Sequence, residues 1–263
     1  MSMKIAQQTL TWIRHPRDFT LEEKLDQIKE AGYEGVEFME PLDELGSPEN
    51  LRQLLDKRSL VLASLSIIIG LGNREKLEEA KRKVEYAAEF DVKALMVCGG
   101  FPKEGMNLDE SHFEVLGKEL EELSRHACKF SMEVAFHPHI SCRVETKEDI
   151  DKLFKHTKST KLCPDTAHLA AKGSDPIQVL DAYKDKIVYV HLKDWRKEKE
   201  VNHYWEHFVE LGEGDLGIDF SGFLTKLEQI GYEGWIAVEL DSTTRTPLKS
   251  AKISRQYLKR LGY

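Results

Sequence analysis

The sequence lacks the marks of several protein classes. It holds no apolar run near the ~20 residues that a membrane-spanning helix requires, so we expect no membrane partner. Residues Met1–Trp12 carry no basic start, long apolar stretch or small-residue cleavage site, so we expect a cytoplasmic protein. Disorder is not indicated either, since 41% of the residues are hydrophobic and 32% are charged, as in ordinary globular chains.

Excess basic charge and paired cysteines are also missing. The formal net charge is −8, which disfavours a nucleic-acid partner because proteins that bind nucleic acid usually present a basic face. The four cysteines form no C-x-x-C pair; they are Cys98, Cys128, Cys142 and Cys163. A zinc knuckle, a redox dithiol or a disulfide framework is therefore not expected.

The sequence does contain a unit that repeats from end to end. Short apolar, β-branched runs are predicted to be strands, and segments with helical periodicity separate them. The eight predicted strands are Lys4–Thr11, Gly35–Met39, Val61–Ile69, Ala94–Gly100, Glu133–His139, Lys161–Asp165, Ile187–Leu192 and Trp235–Leu240. The clearest predicted helices are Leu21–Ala31, Arg74–Phe90 and His112–Phe130.

The predicted helices have marked ends. Thr20 and Glu23 form the pattern of a capping box. A capping side chain followed by proline at the first helical position occurs at Ser47, Asp175 and Thr246. Gly32 and Gly231 are predicted to end helices in the left-handed conformation, directly before a strand.

Strands that alternate with helices predict parallel β-α-β units. Eight such units in 263 residues fit the roughly 250 residues of a TIM barrel. We therefore predict an α/β fold with a single (β/α)8 TIM barrel domain over residues 1–263. A doubly wound open sheet is the rival, but it would usually show fewer strands and a G-x-G-x-x-G turn. The irregular segment Arg196–Ile218 is predicted to act as a lid.

Polar residues end the last four predicted strands. In a TIM barrel the active site lies at the C-terminal strand ends, which surround one opening. At or within two residues of the ends of predicted strands five to eight lie His137, Asp165, His191 and Glu239. Imidazoles and carboxylates that converge need a cation to compensate them, so these residues predict one divalent metal site. Mn²⁺ or Co²⁺ is the first expectation, with Zn²⁺, Fe²⁺ or Mg²⁺ as alternatives.

Each of these ligands also has a structural explanation. His191 could be a hydrogen-bonded structural histidine, and Asp165 could serve only as the N-cap of the next helix. Glu239 is harder to explain in this way, because it interrupts the apolar run Trp235–Leu240. The occurrence of such residues in four consecutive strands favours the metal site over four separate explanations.

Further candidates lie beside these ligands. His139 and Lys193 share a strand face with His137 and His191 and are predicted to lie higher, where a substrate would sit. Candidate substrate contacts are Trp12, Glu37, Trp195 and Glu213. Glu37 could instead form an ion pair with a neighbouring strand, either tryptophan could cap the core, and most turns like the one that holds Glu213 are structural.

Four motifs together resemble the xylose isomerase-like barrel superfamily, nearest to its sugar epimerase/isomerase and inosose dehydratase branches. They are Asp165-Thr-Ala-His168, His191-Leu-Lys-Asp194, Gly212-Glu-Gly-Asp215 and the run from Gly231 to Glu239. The resemblance implies metal ligation by Asp165, His191 and Glu239, and substrate contact by His168. In the epimerases the fifth strand ends in a metal-binding glutamate. This chain has His137 there, so its His-Pro-His run is more like the inosose dehydratase branch.

The expected reaction removes a proton next to the carbonyl of a ketose or keto-polyol, with a metal ion as Lewis acid. Glu239 or His139 is the predicted base, and Lys193 or His168 the predicted proton donor. Loss of a hydroxyl would make the enzyme an inosose-type dehydratase. Return of the proton elsewhere would make it a ketose 3-epimerase or an aldose–ketose isomerase.

Two other functions are weighed against this one. A barrel that binds sugar or metal without turnover would show broken ligands, whereas Asp165, His191 and Glu239 are intact. Apurinic endonucleases of the same superfamily need histidines after strands three and four, where this chain ends its strands with Ile69 and Gly100. A small sugar or polyol is therefore the expected partner, and a homo-oligomer is an open alternative.

Overall fold

The computed structural model describes residues 3–102, 109–197 and 200–263. The chain divides into two compact units. Unit 1 comprises Met1–Ala63 and Val190–Tyr263, and unit 2 comprises Ser64–Tyr189. The unit boundaries fall at positions 63–64 and 189–190, within the strands Val61–Ile68 and Tyr189–Leu192.

All eight predicted strands are present. Each begins within two residues of its predicted start, and seven of the eight end before the predicted last residue. The observed strands are β1 Lys4–Gln8, β2 Gly35–Phe38, β3 Val61–Ile68, β4 Ala94–Cys98, β5 Glu133–His137, β6 Lys161–Leu162, β7 Tyr189–Leu192, β8 Asp194–Trp195, β9 Phe208–Val209 and β10 Trp235–Val238. Strands β8 and β9 form a short antiparallel ribbon that the sequence pattern did not predict.

Eight strands form one sheet in the order β6-β5-β4-β3-β2-β1-β10-β7. In unit 1, β1 pairs in parallel with β2 and with β10, where Lys4 lies opposite Trp235. Strand β10 lies next to β7, and the amide of Glu239 donates to the carbonyl of Leu192 at 3.1 Å. This pairing brings the ends of β7 and β10 together.

In unit 2, β4 pairs in parallel with β3 and with β5, and β5 pairs in parallel with β6. Cys98 lies opposite His137 in the register of β4 and β5. Leu162 of β6 forms a parallel bridge with Ile187, just before β7. Because the carboxyl ends of parallel strands meet at one edge, the residues that follow β4, β5 and β6 lie close to one another.

Helices separate the strands, as the periodicity predicted. They are α1 Leu10–Ile13, α2 Leu21–Ala31, α3 Leu42–Leu45, α4 Pro48–Asp56, α5 Arg74–Ala87, α6 Ser111–Cys128, α7 Lys147–Phe154, α8 Thr166–Ala171, α9 Pro176–Tyr183, α10 Phe220–Gln229 and α11 Pro247–Arg260. The capping box at Thr20 and Glu23 is present. The side chains of the predicted N-caps Ser47, Asp175 and Thr246 each accept a hydrogen bond from a backbone amide in the first turn of the helix. Gly32 ends α2 at φ 93°, a conformation that favours glycine.

Each unit buries its own aliphatic side chains. In unit 1 the fully buried set includes Ile5, Leu25, Val36, Ile236 and Leu258, and in unit 2 it includes Val97, Leu116, Leu120, Val134 and Leu153. Burial of one such side chain contributes about 1.5–3 kcal/mol. The strands are therefore fixed by apolar contacts with the helices, and their polar ends are held in place as a consequence.

No helix among the described ranges is long and apolar enough to cross a membrane. The segment Arg196–Ile218 contains β9 and a 3₁₀ turn at Tyr204–His207, and residues 198 and 199 lie outside the described residues. Its role as a lid stays a prediction.

Glu119 is a buried carboxylate of α6 that lies away from the strand ends. Its Oε1 accepts a hydrogen bond from the amide of Gly72 at 3.0 Å, and its Oε2 has no hydrogen-bond partner within the described part of the chain. Burial raises the pKa of Glu119 to about 7, and the Gly72 amide offsets this effect only in part. Between pH 4.5 and about 7, Glu119 is therefore protonated in the folded protein and ionised in the unfolded chain.

Glu119→Gln should stabilise the protein more at pH 8 than at pH 4.5. The folded wild type carries a raised pKa at this position, so its stability falls as the pH rises through that interval, whereas glutamine does not titrate. We expect the stability difference between variant and wild type to change by about 1–2 kcal/mol over this range, discounted for solvent screening. Urea unfolding at both pH values measures it.

The matched control is Glu114→Gln on the same helix. The Lys118 ammonium lowers the pKa of Glu114, so this variant should gain no stability at high pH. Equal pH dependence of the two variants would contradict the assignment of the raised pKa to Glu119.

Candidate metal centre and active site

Unit 1 buries a chain of alternating charges at the ends of β2, β7 and β10. His191 contacts two carboxylates: its Nε2 lies 2.8 Å from Glu37 Oε2, and its Nδ1 lies 2.7 Å from Glu239 Oε2. Lys193 Nζ lies 3.0 Å from Glu239 Oε1 and also contacts Asp241 Oδ1. Each buried charge has a neighbour of opposite sign, which compensates the cost of removing it from water.

The two carboxylates set the protonation of His191. Burial by itself would lower the pKa of this imidazole, but the attraction of Glu37 and the hydrogen bond to Glu239 outweigh burial and raise it to about 10. Glu37 holds the Nε2–H, so the ring is oriented with Nδ1 toward Glu239. A carboxylate that holds one ring N–H and orients the other nitrogen is the usual support of a metal-binding histidine.

The contact of Glu37 with His191 matches the ion-pair alternative weighed for Glu37, but the partner strand differs. Strand β2 is separated from β7 by β1 and β10 in the sheet. Glu37 is fully buried, so its carboxylate is committed to the imidazole. A direct substrate contact by Glu37 stays a prediction.

Unit 2 brings three histidines together. The ring centroids of His139 and His168 lie 3.9 Å apart, and His137 lies 5.6 Å from His139 and 5.3 Å from His168. One nitrogen of each ring lies within 4.8 Å of the others, so this group could hold a metal ion. His137 and His168 are buried and His139 is partly exposed.

The backbone of a single residue, Ile140, orients two of these rings. The carbonyl of Ile140 lies 2.5 Å from His139 Nδ1, and a carbonyl only accepts, so this nitrogen carries a proton. The amide of Ile140 donates to His168 Nδ1 at 3.3 Å, so the proton of the neutral His168 ring sits on Nε2. The neutral forms therefore present a lone pair on His139 Nε2 and an N–H on His168 Nε2.

Asp165 is the N-cap of α8, as its structural explanation predicted. Its Oδ1 accepts a hydrogen bond from the amide of His168 at 2.8 Å, and the side chain is fully buried. A carboxylate has two oxygens, so capping by one does not exclude ligation by the other. The cap fixes Asp165 and the first turn of α8 relative to each other.

Asp194 holds the turn that contains Glu213. Its carboxylate accepts hydrogen bonds from the backbone amides of Gly212 and Gly214 at 2.9 and 3.0 Å, and from that of Trp195 at 2.8 Å. A Cβ at Gly214 would collide with this carboxylate, so glycine is required there. Glu213 itself pairs with Arg245 at 2.9 Å, and its role as a substrate contact stays a prediction.

The two tryptophans are buried in unit 1. Trp12 is 1% exposed, and its indole N–H donates to Gln27 at 2.9 Å. Trp195 stacks on His207 with centroids 4.5 Å apart and packs edge-on against Phe208. The core role is observed for both rings, and contact of either with a substrate stays a prediction.

Several contacts of these clusters were not predicted from the sequence. Asp241 follows Glu239 by two positions, and the alternation along a strand is the signal that places it beside Lys193. Ile140 acts through its backbone and leaves no signal in its side chain. Asp194 belongs to a recognised motif, but its bonds to the glycine turn join positions about twenty residues apart, which no local pattern predicts.

Asp194→Asn should loosen the glycine turn. An amide is a weaker acceptor than a carboxylate for three backbone N–H groups, so we expect the free energy of unfolding to fall by about 1–3 kcal/mol. Hydrogen exchange at the amides of Gly212 and Gly214 should become faster. Asp18→Asn, at an exposed carboxylate of the same unit, is the control and should change neither quantity. Unchanged exchange at both glycines in the Asp194 variant would contradict this account.

Comparison with known proteins agrees with this architecture. Residues 25–261 match the family model described as "Xylose isomerase-like TIM barrel". An inosose dehydratase of Lacticaseibacillus casei is 30% identical, over 92% of this chain and 90% of the relative. Two solved structures share the fold: the IolI protein with a zinc atom, at TM-score 0.80, and the 3-keto-D-glucoside 4-epimerase YcjR of E. coli, at TM-score 0.78. Both are 20% identical and cover 98% and 99% of this chain and the same shares of their own chains.

These findings confirm the predicted fold class, an α/β protein of the (β/α)8 TIM barrel type, and they confirm the resemblance noted in the motifs. The match spans both units and includes every candidate ligand. The chain belongs to the xylose isomerase-like TIM barrel family.

Proposed function

We propose that this protein is a divalent-metal-dependent dehydratase that removes water from a keto-polyol of the inosose type. The observation that carries the proposal is the buried contact of His191 with two carboxylates. Glu37 orients the imidazole through Nε2, and Glu239 lies beside Nδ1, the nitrogen proposed to bind the metal. The similarity to an inosose dehydratase over 92% of the chain supports the substrate class.

The proposed metal ligands are His137, Asp165, His191 and Glu239, each at or just after the end of a strand. This set combines two imidazoles with two carboxylates, which suits Mn²⁺ or Co²⁺, with Zn²⁺, Fe²⁺ or Mg²⁺ as alternatives. The two donors described in unit 1 fit such an ion, because Glu37 holds His191 Nε2 and leaves Nδ1 beside Glu239 Oε2. When bound, the ion would polarise the substrate carbonyl and lower the pKa of the adjacent C–H.

The protein residues would move two protons. A base takes the proton from the carbon next to the carbonyl, a carbon–carbon double bond forms, and the hydroxyl on the next carbon leaves as water once an acid protonates it. Glu239 and His139 are the proposed bases, and Lys193 and His168 the proposed acids. Turnover thus needs a proton acceptor and a proton donor at the same substrate.

The hydrogen bonds of Ile140 support a division of these roles between two histidines. His139 presents a lone pair on Nε2 and can accept a proton, whereas His168 presents an N–H and can donate one. Lys193 is the alternative donor. Its Nζ lies 3.0 Å from Glu239 Oε1 and also contacts Asp241 Oδ1.

An epimerase or isomerase is the second candidate function. It would share the first proton transfer and return the proton instead of expelling a hydroxyl. The similarity in fold to the 4-epimerase is compatible with this candidate. The residue at position 137 favours the dehydratase, because epimerases of this superfamily carry glutamate there and this chain carries histidine. A barrel that binds sugar or metal without turnover is the non-enzyme alternative. A cytoplasmic location and a homo-oligomer stay predictions.

The first experiment measures metal content and turnover together. The protein is purified without chelator, its metals are quantified, and keto-inositols and ketoses are supplied with Mn²⁺ or Co²⁺. We expect about one N/O-bound divalent ion per chain and a product lighter than the keto-inositol by one water. A product of unchanged mass would select the isomerase or epimerase. Metal binding without any turnover would leave the non-enzyme alternative.

Glu239→Gln should lower kcat by at least about 100-fold, because it removes both a ligand and a candidate base. The control is Glu40→Gln, a buried carboxylate of the same unit that pairs with Lys24 at 2.7 Å and belongs to neither cluster. This variant should keep its metal and most of its turnover. Full activity of the Glu239 variant would rule out the proposed mechanism.

Glu37→Gln tests the positioning role of Glu37. Glutamine keeps the size of the side chain but loses the charge that orients His191, so metal affinity should fall about 10–100-fold. Titration with Mn²⁺ followed by calorimetry measures the affinity directly. A metal affinity equal to that of the wild type, with a raised KM, would instead support the substrate contact predicted from the sequence.

A further inference from the structure

Unit 2 places two thiols beside one of its histidines. Cys98 ends β4 and Cys142 lies in the segment after β5, and their Sγ atoms are 3.4 Å apart. These two sulfurs and one ring nitrogen of His139 all lie within 4.8 Å of one another. All three belong to the same unit, and both cysteines are buried and form no disulfide.

We propose that Cys98, His139 and Cys142 form a second metal site, which takes a thiophilic ion such as Zn²⁺. This site is distinct in chemistry from the proposed catalytic centre, because two of its three donors are sulfur. It stands on its own geometry and does not require the proposed reaction.

The distance between the sulfurs fits a shared ion better than a disulfide. With zinc–sulfur bonds of about 2.3 Å, two thiolates on one tetrahedral ion lie roughly 3.8 Å apart. The observed 3.4 Å needs a change of only a few tenths of an ångström to reach that separation. A disulfide bond of about 2.05 Å would require the sulfurs to approach by more than an ångström.

The third donor is already oriented for this role. The carbonyl of Ile140 holds the Nδ1–H of His139, which assigns Nε2 as the ligating nitrogen. A backbone carbonyl on the second ring nitrogen is a common support for histidine ligands. The ring of Phe101 packs edge-on against His139 at 5.1 Å and limits rotation of the imidazole.

Occupation of this site would engage His139, which the proposed function uses as a base. A thiophilic ion in excess should therefore inhibit turnover, and Cys98→Ser should relieve that inhibition. This consequence depends on the proposed function, whereas ion binding itself does not.

Cobalt provides a test that identifies the donors. The protein is reduced, freed of reductant without oxygen and titrated with Co²⁺, which gives a strong near-ultraviolet charge-transfer band only with thiolate ligands. We expect this band in the wild type and in Glu239→Gln, where the catalytic centre has lost a ligand. Cys98→Ser and Cys142→Ser should each abolish the band. His139→Ala should weaken, at least about tenfold, the Co²⁺ binding that produces the band.

Cys128→Ser is the matched control, since Cys128 is a free thiol exposed on α6. It should leave the band unchanged, and circular dichroism should show that every variant is folded. Absence of the band in fully reduced wild type, or its persistence in Cys98→Ser, would overturn the proposal. Loss of the band in Glu239→Gln alone would assign the signal to the catalytic centre and overturn it as well.

Discussion

The buried chain of charges in unit 1 is the constraint on which the catalytic proposal rests. Three carboxylates, those of Glu37, Glu239 and Asp241, are balanced by Lys193, by Arg14 at 2.7 Å from Asp241, and by a proton on His191. The raised pKa of His191 shows how strongly this arrangement favours a cation beside Glu239. A divalent ion would take the place of that proton. Its charge would compensate the carboxylates, which are costly to bury without a cation.

The fold and the candidate site were not equally predictable. Short apolar runs placed all eight strands of the sheet, because most of these strands are rich in apolar residues and caps and glycines mark the helices between them. The strand ends were predicted too long, since residues such as His139 and Asp165 continue the local pattern but leave the ladder to make side-chain contacts. Alternation also predicted that His191 and Lys193 share a face, and both lie in the charge chain.

Contacts between positions that are far apart in the chain could not be predicted from the sequence. The bond between Glu37 and His191 joins residues 154 positions apart, and the carboxylate could have faced a substrate as easily as an imidazole until the strands were placed. The thiols of Cys98 and Cys142 gave no signal, because their spacing fits no metal motif. They meet only because β4 and β5 are neighbours in the sheet and the chain after β5 returns past the end of β4. The backbone of Ile140 is a similar case, since any side chain could stand there.

The motif His191-Leu-Lys-Asp194 shows how four consecutive residues can serve two purposes. His191 and Lys193 enter the charge chain, where each bridges two carboxylates. Asp194 instead turns to the backbone of Gly212 and Gly214 and fixes the turn that carries Glu213. Asp194 directly follows Lys193, and Leu192 before them is fully buried, so the glycine turn and the charge chain are anchored at neighbouring residues. The requirement for glycine at position 214 therefore arises from the same motif that carries Lys193, the proposed proton donor.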